Sequence, residues 1–229
     1  MFDLWVPTGE LVGCVADVVP FACPDEEVPD LFVVRVEWDG QCLHTYATDR
    51  SRLGWSRWEP DDAPFEVPAE DDLFTNWGAG EPGAWQLNLS LPDAKQLVKM
   101  FKLAKKRARV PLMVTAMTGP GGRLIVERHA DSGYPAVTAS FDHRSVDFPG
   151  VAALLAKVPA PRPVGEIAFT PRYLADIGRV RQRGPLQMRF AGPGRMVLMT
   201  MGDRFTAAIV PATVESPAHT RESTSEGER

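Results

Sequence analysis

The sequence predicts an α+β protein assembled from three similar βαβββ units, and three observations predict it. Proline-marked helix starts recur near Pro7, Pro92 and Pro171. Each is followed by two or three runs of alternating apolar and polar residues, the period of half-buried strands. Those runs are separated by turn chemistry: Asp39-Gly40 after the first helix, Gly-Pro-Gly-Gly at 119–122 after the second, and Gly-Pro-Gly at 192–194 after the third. One sheet with a single helix to cover it cannot bury its apolar face alone, so the units must pack together or across subunits.

In chain order, "WVPTGELVGCVADVVPFA" (5–22) reads as the first helix, with Thr8 as a candidate cap and Leu11, Val15 and Val18 at helical spacing. The strands "LFVVRVEWDG", "QCLHTYATDR" and "RLGWSRW" complete a unit spanning 1–60. An acidic loop, 59–83, follows; its first part, 59–72, holds seven carboxylates, three prolines and no base. The second unit, 84–147, carries the helix "LPDAKQLVKMFKLAKKRARV" (91–110) and strands in "VPLMVTAMTGPGGRLIVERH" and "YPAVTASFD". A linker is expected over 148–162. The third unit, 163–214, starts a helix at "FTPRYLADIGRVRQRG" (169–184), capped by Thr170 and stopped by Gly184, and continues with "PLQMRFAGPGRMVLMTMG" and "RFTAAIVPATV". The tail 215–229 has no large apolar residue to offset the entropy of ordering and is expected to be disordered.

Charge is distributed against the average. The 229 residues carry a net charge of −5, yet residues 91–110 place seven bases against one acid. Lys95, Lys99, Lys102 and Lys106 recur at i, i+4, i+7 and i+11, opposite a stripe of Leu97, Phe101, Ala104 and Ala108. Lys105, Arg107 and Arg109 add to the same segment, and Arg172, Arg179 and Arg183 share a face of the third helix with Asp176. Two cationic helices in an acidic protein point to a polyanionic partner, because a local positive potential survives an overall negative charge. The first helix is the exception: it carries Glu10 and Asp17 and no base, so its face is either buried or contributes little.

Other classes are disfavoured. No segment approaches the roughly 18 apolar residues of a membrane span, and the three cysteines, Cys14, Cys23 and Cys42, are irregularly spaced, which suits a cytoplasmic protein without disulfides. Cys42 and His44 make half of a metal site with no second pair nearby in sequence, so neither a metal nor another cofactor is expected. His44, His129, His143 and His219 lie in no zinc-protease or nucleophile-elbow context, and "GAGEPG" (78–83) precedes no helix with a phosphate-binding lysine. The chain is not expected to be an enzyme.

Four segments in order give the sequence a resemblance to the bacterial DNA polymerase III β subunit, the sliding clamp, in a shortened form. "IAFTPRYLADIGRV" is similar to that family's "FNPRYLLDAL" helix start, and "FTAAIVPATV" stands where the family has a "YVVMPMRL"-like last strand. "TYATDRSRLGW" resembles "ATDSHRLA" of the clamp's middle domain, and "SVDFPGV" resembles "GKFPDYRRV" at its close. The resemblance makes 1–147 similar to the middle domain, two βαβββ halves, and 163–214 similar to the second half of the last domain. The first half of that last domain has no counterpart between them.

The resemblance implies a DNA-clamp fold with helices lining a central hole and antiparallel sheets outside. It implies a replication processivity factor that encircles double-stranded DNA, with its basic helices against the phosphates. Three halves per chain imply four chains in a ring of twelve halves joined head to tail, with a trimer or dimer as alternatives. A partner pocket for DNA polymerase and other proteins carrying clamp-binding peptides is also implied. Its walls match Thr48, Arg50, Ser51, Arg52 and Leu53; Pro149 and Val151; Met196; and Ala208, Ile209, Val210, Pro211 and Ala212. Ala212 and Thr213 stand where the family has larger residues, so the preferred peptide should differ. The resemblance leaves the need for a clamp loader open. The shortened plan, with many Ala, Arg, Gly and Pro, suits a gene of a mobile element or phage. A non-encircling interaction module that diverts clamp-binding proteins is the alternative, and it would have no need of cationic helices.

Overall fold

The computed structural model describes residues 1–60, 83–103, 110–130, 135–181 and 184–212. The chain runs β1 (Phe2–Pro7), α1 (Thr8–Val18), β2 (Val33–Trp38), β3 (Leu43–Thr48), β4 (Arg52–Trp58), β5 (Trp85–Ser90), α2 (Leu91–Phe101), β6 (Pro111–Met117), β7 (Arg123–Arg128) and β8 (Val137–Asp142). It continues through α3 (Val151–Ala156), α4 (Pro171–Ile177), β9 (Leu186–Arg189), β10 (Val197–Met201) and β11 (Phe205–Ile209). All strand pairs are antiparallel, in a four-stranded sheet ordered β1-β6-β7-β8 and a seven-stranded sheet ordered β5-β2-β3-β4-β11-β10-β9.

The first two units exchange their first strands. β1 leaves its own unit to pair with β6, in a register from Phe2↔Ala116 to Pro7↔Pro111, and β5 crosses to β2, from Val33↔Ser90 to Trp38↔Trp85. Sequence periodicity identifies the strands but is blind to this exchange. Thr8 corrects one expectation. It is the first helical residue rather than a cap, and its hydroxyl donates to the Val110 carbonyl at 2.6 Å, across the exchange. In α2 the cap is Ser90, whose Oγ accepts from the Asp93 N–H at 3.2 Å.

Two helices are shorter than their sequence spacing predicts. α2 stops at Phe101, and Lys102 already has an extended backbone (φ −61°, ψ 123°). α4 stops at Ile177, so Gly184 ends no helix; Val180 is buried against the main core instead. The linker also departs from expectation, since it contains the short helix α3.

The third unit attaches through main chain. β11 pairs with β4 from Phe205↔Ser56 to Ile209↔Arg52, making one sheet of the first and third units. One face of that sheet carries Val34, Val36, Ala47, Ala207 and Ile209 and packs under the helices, within a core that includes Leu11, Val15, Leu97 and Phe101. Alternate residues on the other face, Val33, Tyr46, Leu53 and Ala208, build a separate cluster under Phe148 and Val151. The period of two in each strand therefore decides which side of the protein a residue serves.

Charged contacts lock the same junction on the helical side. Arg52, 4% exposed, is held by Asp49 at 2.8 Å and by Asp176 of α4, and its guanidinium stacks 4.4 Å from the Tyr173 ring. Arg181 reaches α1: its Nη1 lies 3.0 Å from Glu10, and its backbone N–H donates to Asp17 at 2.7 Å. Burial pushes the Asp17 carboxyl above its ordinary range, and the Arg181 N–H and guanidinium pull against that. Gly13 makes room for this arginine, because a Cβ there would stand 2.3 Å from the guanidinium carbon. The acids of α1 that set it apart in sequence are thus consumed inside the protein.

Candidate functional site

The helical layer offers the first surface. α1 packs against α2, and Arg181, just beyond α4, lies on α1, so α2, α1 and α4 succeed one another across one side of the sheets. α2 buries Leu91, Ala94, Leu97 and Phe101, which turns Lys95 and Lys99 outward; both are exposed, as is Lys102 just past the helix. Arg172 and Arg179 are exposed on and just after α4, and the Arg179 guanidinium pairs with Asp176 at 2.9 Å. Lys105, Lys106, Arg107, Arg109 and Arg183 lie outside the described residues. Five described bases, then, stand on the solvent side of a layer whose α1 carboxylates are occupied by Arg181 and Arg204. Exposed ammonium and guanidinium groups of this kind suit phosphates, which they contact without reading bases.

The second surface is the opposite face at the β4–β11 junction. Leu53, Ala208 and Val151 come together there, with Met196 and Leu198 beside them and Trp55 and Leu155 at the margin. The turn before β4 forms one wall. Arg50 adopts a left-handed conformation (φ 76°), Asp49 accepts from the Ser51 and Arg52 N–H groups, and the Ser51 carbonyl accepts from Val210 at 2.8 Å. Thr48 is buried, its hydroxyl donating to the Arg52 carbonyl at 2.8 Å. Val210 is 38% exposed, and Pro211 and Ala212 follow it partly or fully exposed. Pro149 is half-buried beside Phe148.

Two residues expected in this pocket point elsewhere. Arg52 and Ile209 project to the helical face, where one makes ion pairs and the other joins the main core. In the sequence both sit within segments matching the pocket walls, but alternation along β4 and β11 sends every second side chain through the sheet. Trp55 and Leu198 were missed for the same reason, and the signal that finds them is the parity of their positions relative to Leu53 and Met196, whereas Leu155 stands one helical turn from Val151 on α3.

Asp39 joins Cys42 and His44 in space, with one donor atom from each inside 4.8 Å of the others. Hydrogen bonds already occupy the Asp39 carboxylate and the His44 ring. His44 Nε2 and Asp39 are 2.9 Å apart, Trp55 Nε1 donates to His44 Nδ1 at 3.1 Å, and Asp39 accepts from the Gln41 and Cys42 N–H groups. Burial pushes the Asp39 carboxyl up, but the Cys42 N–H, His44 and the Gln41 N–H outweigh it and hold it below the ordinary range. The cluster reads as a hydrogen-bonded turn between β2 and β3.

An exchanged pair of βαβββ halves, extended by a third half through one continuous sheet, defines a clamp-type architecture. Solved structures are similar to it in overall fold. The chain is similar to the DNA polymerase III β subunit of Thermotoga maritima, with a TM-score of 0.68 and 13% identity over 94% of this chain and 66% of that one. It is likewise similar to the DNA polymerase sliding clamp of Bacillus subtilis (TM-score 0.66, 13% identity, 93% and 64% covered). The sliding clamp of Pseudomonas aeruginosa gives a TM-score of 0.68 at 10% identity, with 93% and 67% covered. No family model and no curated protein matches the sequence. The chain has the sliding-clamp fold and spans about two thirds of the length of these structures. Among the described residues, no helix is long and apolar enough to cross a membrane.

Proposed function

We propose that the chain is a sliding clamp: copies of it form a closed ring around duplex DNA, and the ring tethers a polymerase or another replication protein through a peptide-binding surface. The observation that carries this reading is the exposure of Lys95, Lys99, Lys102, Arg172 and Arg179 along the helical layer of a clamp fold. A phosphate-directed, sequence-blind surface permits sliding, and retention is then topological rather than a matter of affinity. The role is mechanical, with no reaction catalysed. Light scattering tests the ring: a single species at four times the 25.2 kDa chain mass is expected. A monomer at all concentrations rejects it in favour of a non-encircling module.

The peptide surface is the apolar cluster at the β4–β11 junction. A partner's Leu or Phe anchor buried there would contribute about 1.5–3 kcal/mol. Leu53 is only 3% exposed, so a charge at that position would test folding as much as binding. Met196 is half-buried at the margin of the cluster and is the better probe. Met196→Asp is expected to weaken binding of a Leu/Phe-anchored clamp-motif peptide at least roughly tenfold, measured by fluorescence polarisation. Unchanged affinity places the partner elsewhere.

A further inference from the structure

The third unit keeps an acceptor edge and a donor segment for the strand exchange, with no strand among the described residues to exchange with. In the first two units, each unit's first strand covers the edge of the other's second strand: β1 on β6, β5 on β2. The counterpart of β2 and β6 in the third unit is β9, and its only strand partner among the described residues is β10. The consequence shows in burial. β9 exposes Gln187, Met188 and Arg189, whereas β2 and β6 bury most of their residues. One hydrogen bond, from the Arg162 N–H to the Phe190 carbonyl at 2.9 Å, reaches the chain just past the end of β9.

A donor segment is present as well. Among the residues before α4, Ile167 to Thr170, Ala168 stands where Asn88 of β5 stands before α2. Asn88, three residues before the first residue of α2, accepts at its carbonyl from Arg144, just past β8; Ala168, three before the first residue of α4, accepts from Ala212, just past β11, both at 2.8 Å. Asn88 has its other edge on β2, opposite Arg35. The other edge of Ala168 has no strand beside it among the described residues. The helices agree: α1 and α2 cover one another, while α4 leaves Leu174 37% exposed with Ala175 beside it.

We infer that the partner of the third unit is the third unit of a second copy of this chain, each adding its Ile167–Thr170 segment as a strand to the other's β9 about a two-fold axis. The inference rests on the ring reading and replaces its head-to-tail contact with a two-fold one. Two halves related by such an exchange are what the first and second units already form within one chain, so the contact makes a complete clamp domain from two incomplete ones. An isologous contact of this kind is self-complementary and uses up the edge, which protects it from open-ended association. Two β8 edges remain, one at each end of the resulting pair, and a ring of four chains closes by joining pairs there.

The register is specific. Pro7 and Ser90, each immediately before its helix, pair with Pro111 and Val33, the first residues of the accepting strands. The same rule sets Thr170 opposite the partner copy's Leu186, and Ala168 opposite its Met188. In the template, Asn88 turns its N–H to His143 and its carbonyl to Arg144, away from β2, so Asn88 and Arg35 are a non-hydrogen-bonded pair, whose Cα atoms stand about 4.5 Å apart and are within reach of a disulfide.

The test is the full chain carrying Ala168→Cys and Met188→Cys in a Cys23→Ser background, since Cys14 and Cys42 are buried. Mild oxidation is expected to give a covalent dimer on a non-reducing gel, with neither single variant cross-linking and no longer covalent ladder. Leu174→Glu, which sets two carboxylates against each other at the two-fold axis, is expected to halve the mass found by light scattering. A ladder of covalent oligomers, or an oligomer that cross-links at none of these positions and keeps its mass with Leu174→Glu, overturns the inference. The ring reading fails separately: a covalent dimer that is not retained on circular DNA upholds the exchange and removes the ring.

Discussion

Arg52→Ala is expected to lower the stability of the chain by about 3–5 kcal/mol in urea denaturation, the cost of leaving a buried ionic partner without its counter-charge. Arg52 and Asp176 are 4% and 6% exposed, and the arginine also donates to the Pro20 carbonyl and lies over the Phe21 and Tyr173 rings. Removing it leaves the Asp176 carboxylate, among the described residues, with only the exposed Arg179 as an ion-pair partner. The loss falls on the junction between the first and third units, so the β4–β11 ladder is expected to lose hydrogen-exchange protection before the β6–β7 ladder does. Replacing both partners by apolar residues, Arg52→Met with Asp176→Leu, should recover part of the loss, because two desolvated charges are removed together. A change under about 1 kcal/mol for Arg52→Ala contradicts a structural role for this network.

The second large effect is on DNA. The variant Lys95→Glu/Lys99→Glu/Lys102→Glu is expected to lose retention on a nicked circular duplex at moderate salt while melting at the wild-type temperature. All three side chains are exposed, and none belongs to an ion pair among the described residues. Each phosphate contact removed should also flatten the dependence of log affinity on log salt by about 1. Neutral variants at the same three positions should fall between, since they remove attraction without adding repulsion. Wild-type retention by the Glu variant excludes this helix from the DNA surface.

Much of the architecture is legible in the sequence because it is carried by local chemistry. Pro7, Pro92 and Pro171 mark the starts of α1, α2 and α4, and the glycine turns after them mark the hairpins; Gly119 and Gly121 take left-handed φ values of 100° and 70°. The amphipathic spacing of Leu97 and Phe101 against Lys95 and Lys99 gives the burial of α2 correctly. Non-local choices are not legible. Nothing in "FDLWVP" says that it pairs with "PLMVTAM" more than a hundred residues away, and nothing local to Asp17 says that Arg181 neutralises it. Helix ends are not legible either: the lysine spacing runs on past Phe101, whereas the backbone is already extended at Lys102.

The candidate surfaces divide along the same line. The exposed bases were readable as a pattern, since solvent-facing charge needs no partner. The apolar surface was readable only through its resemblance to clamp segments, and the resemblance could not separate the two faces of a strand. Leu53 and Ala208 lie on the face away from the helices, Arg52 and Ile209 on the helical face, and one position of parity decides between the candidate apolar cluster and a structural ion pair.

Encirclement is tested most directly by loading the wild-type protein onto a nicked circular duplex, removing free protein by gel filtration, and then cutting the circle once. A ring predicts that protein stays with the circle and departs within minutes of linearisation, at unchanged salt. Equal retention on circular and linear DNA, or equal loss from both, contradicts it.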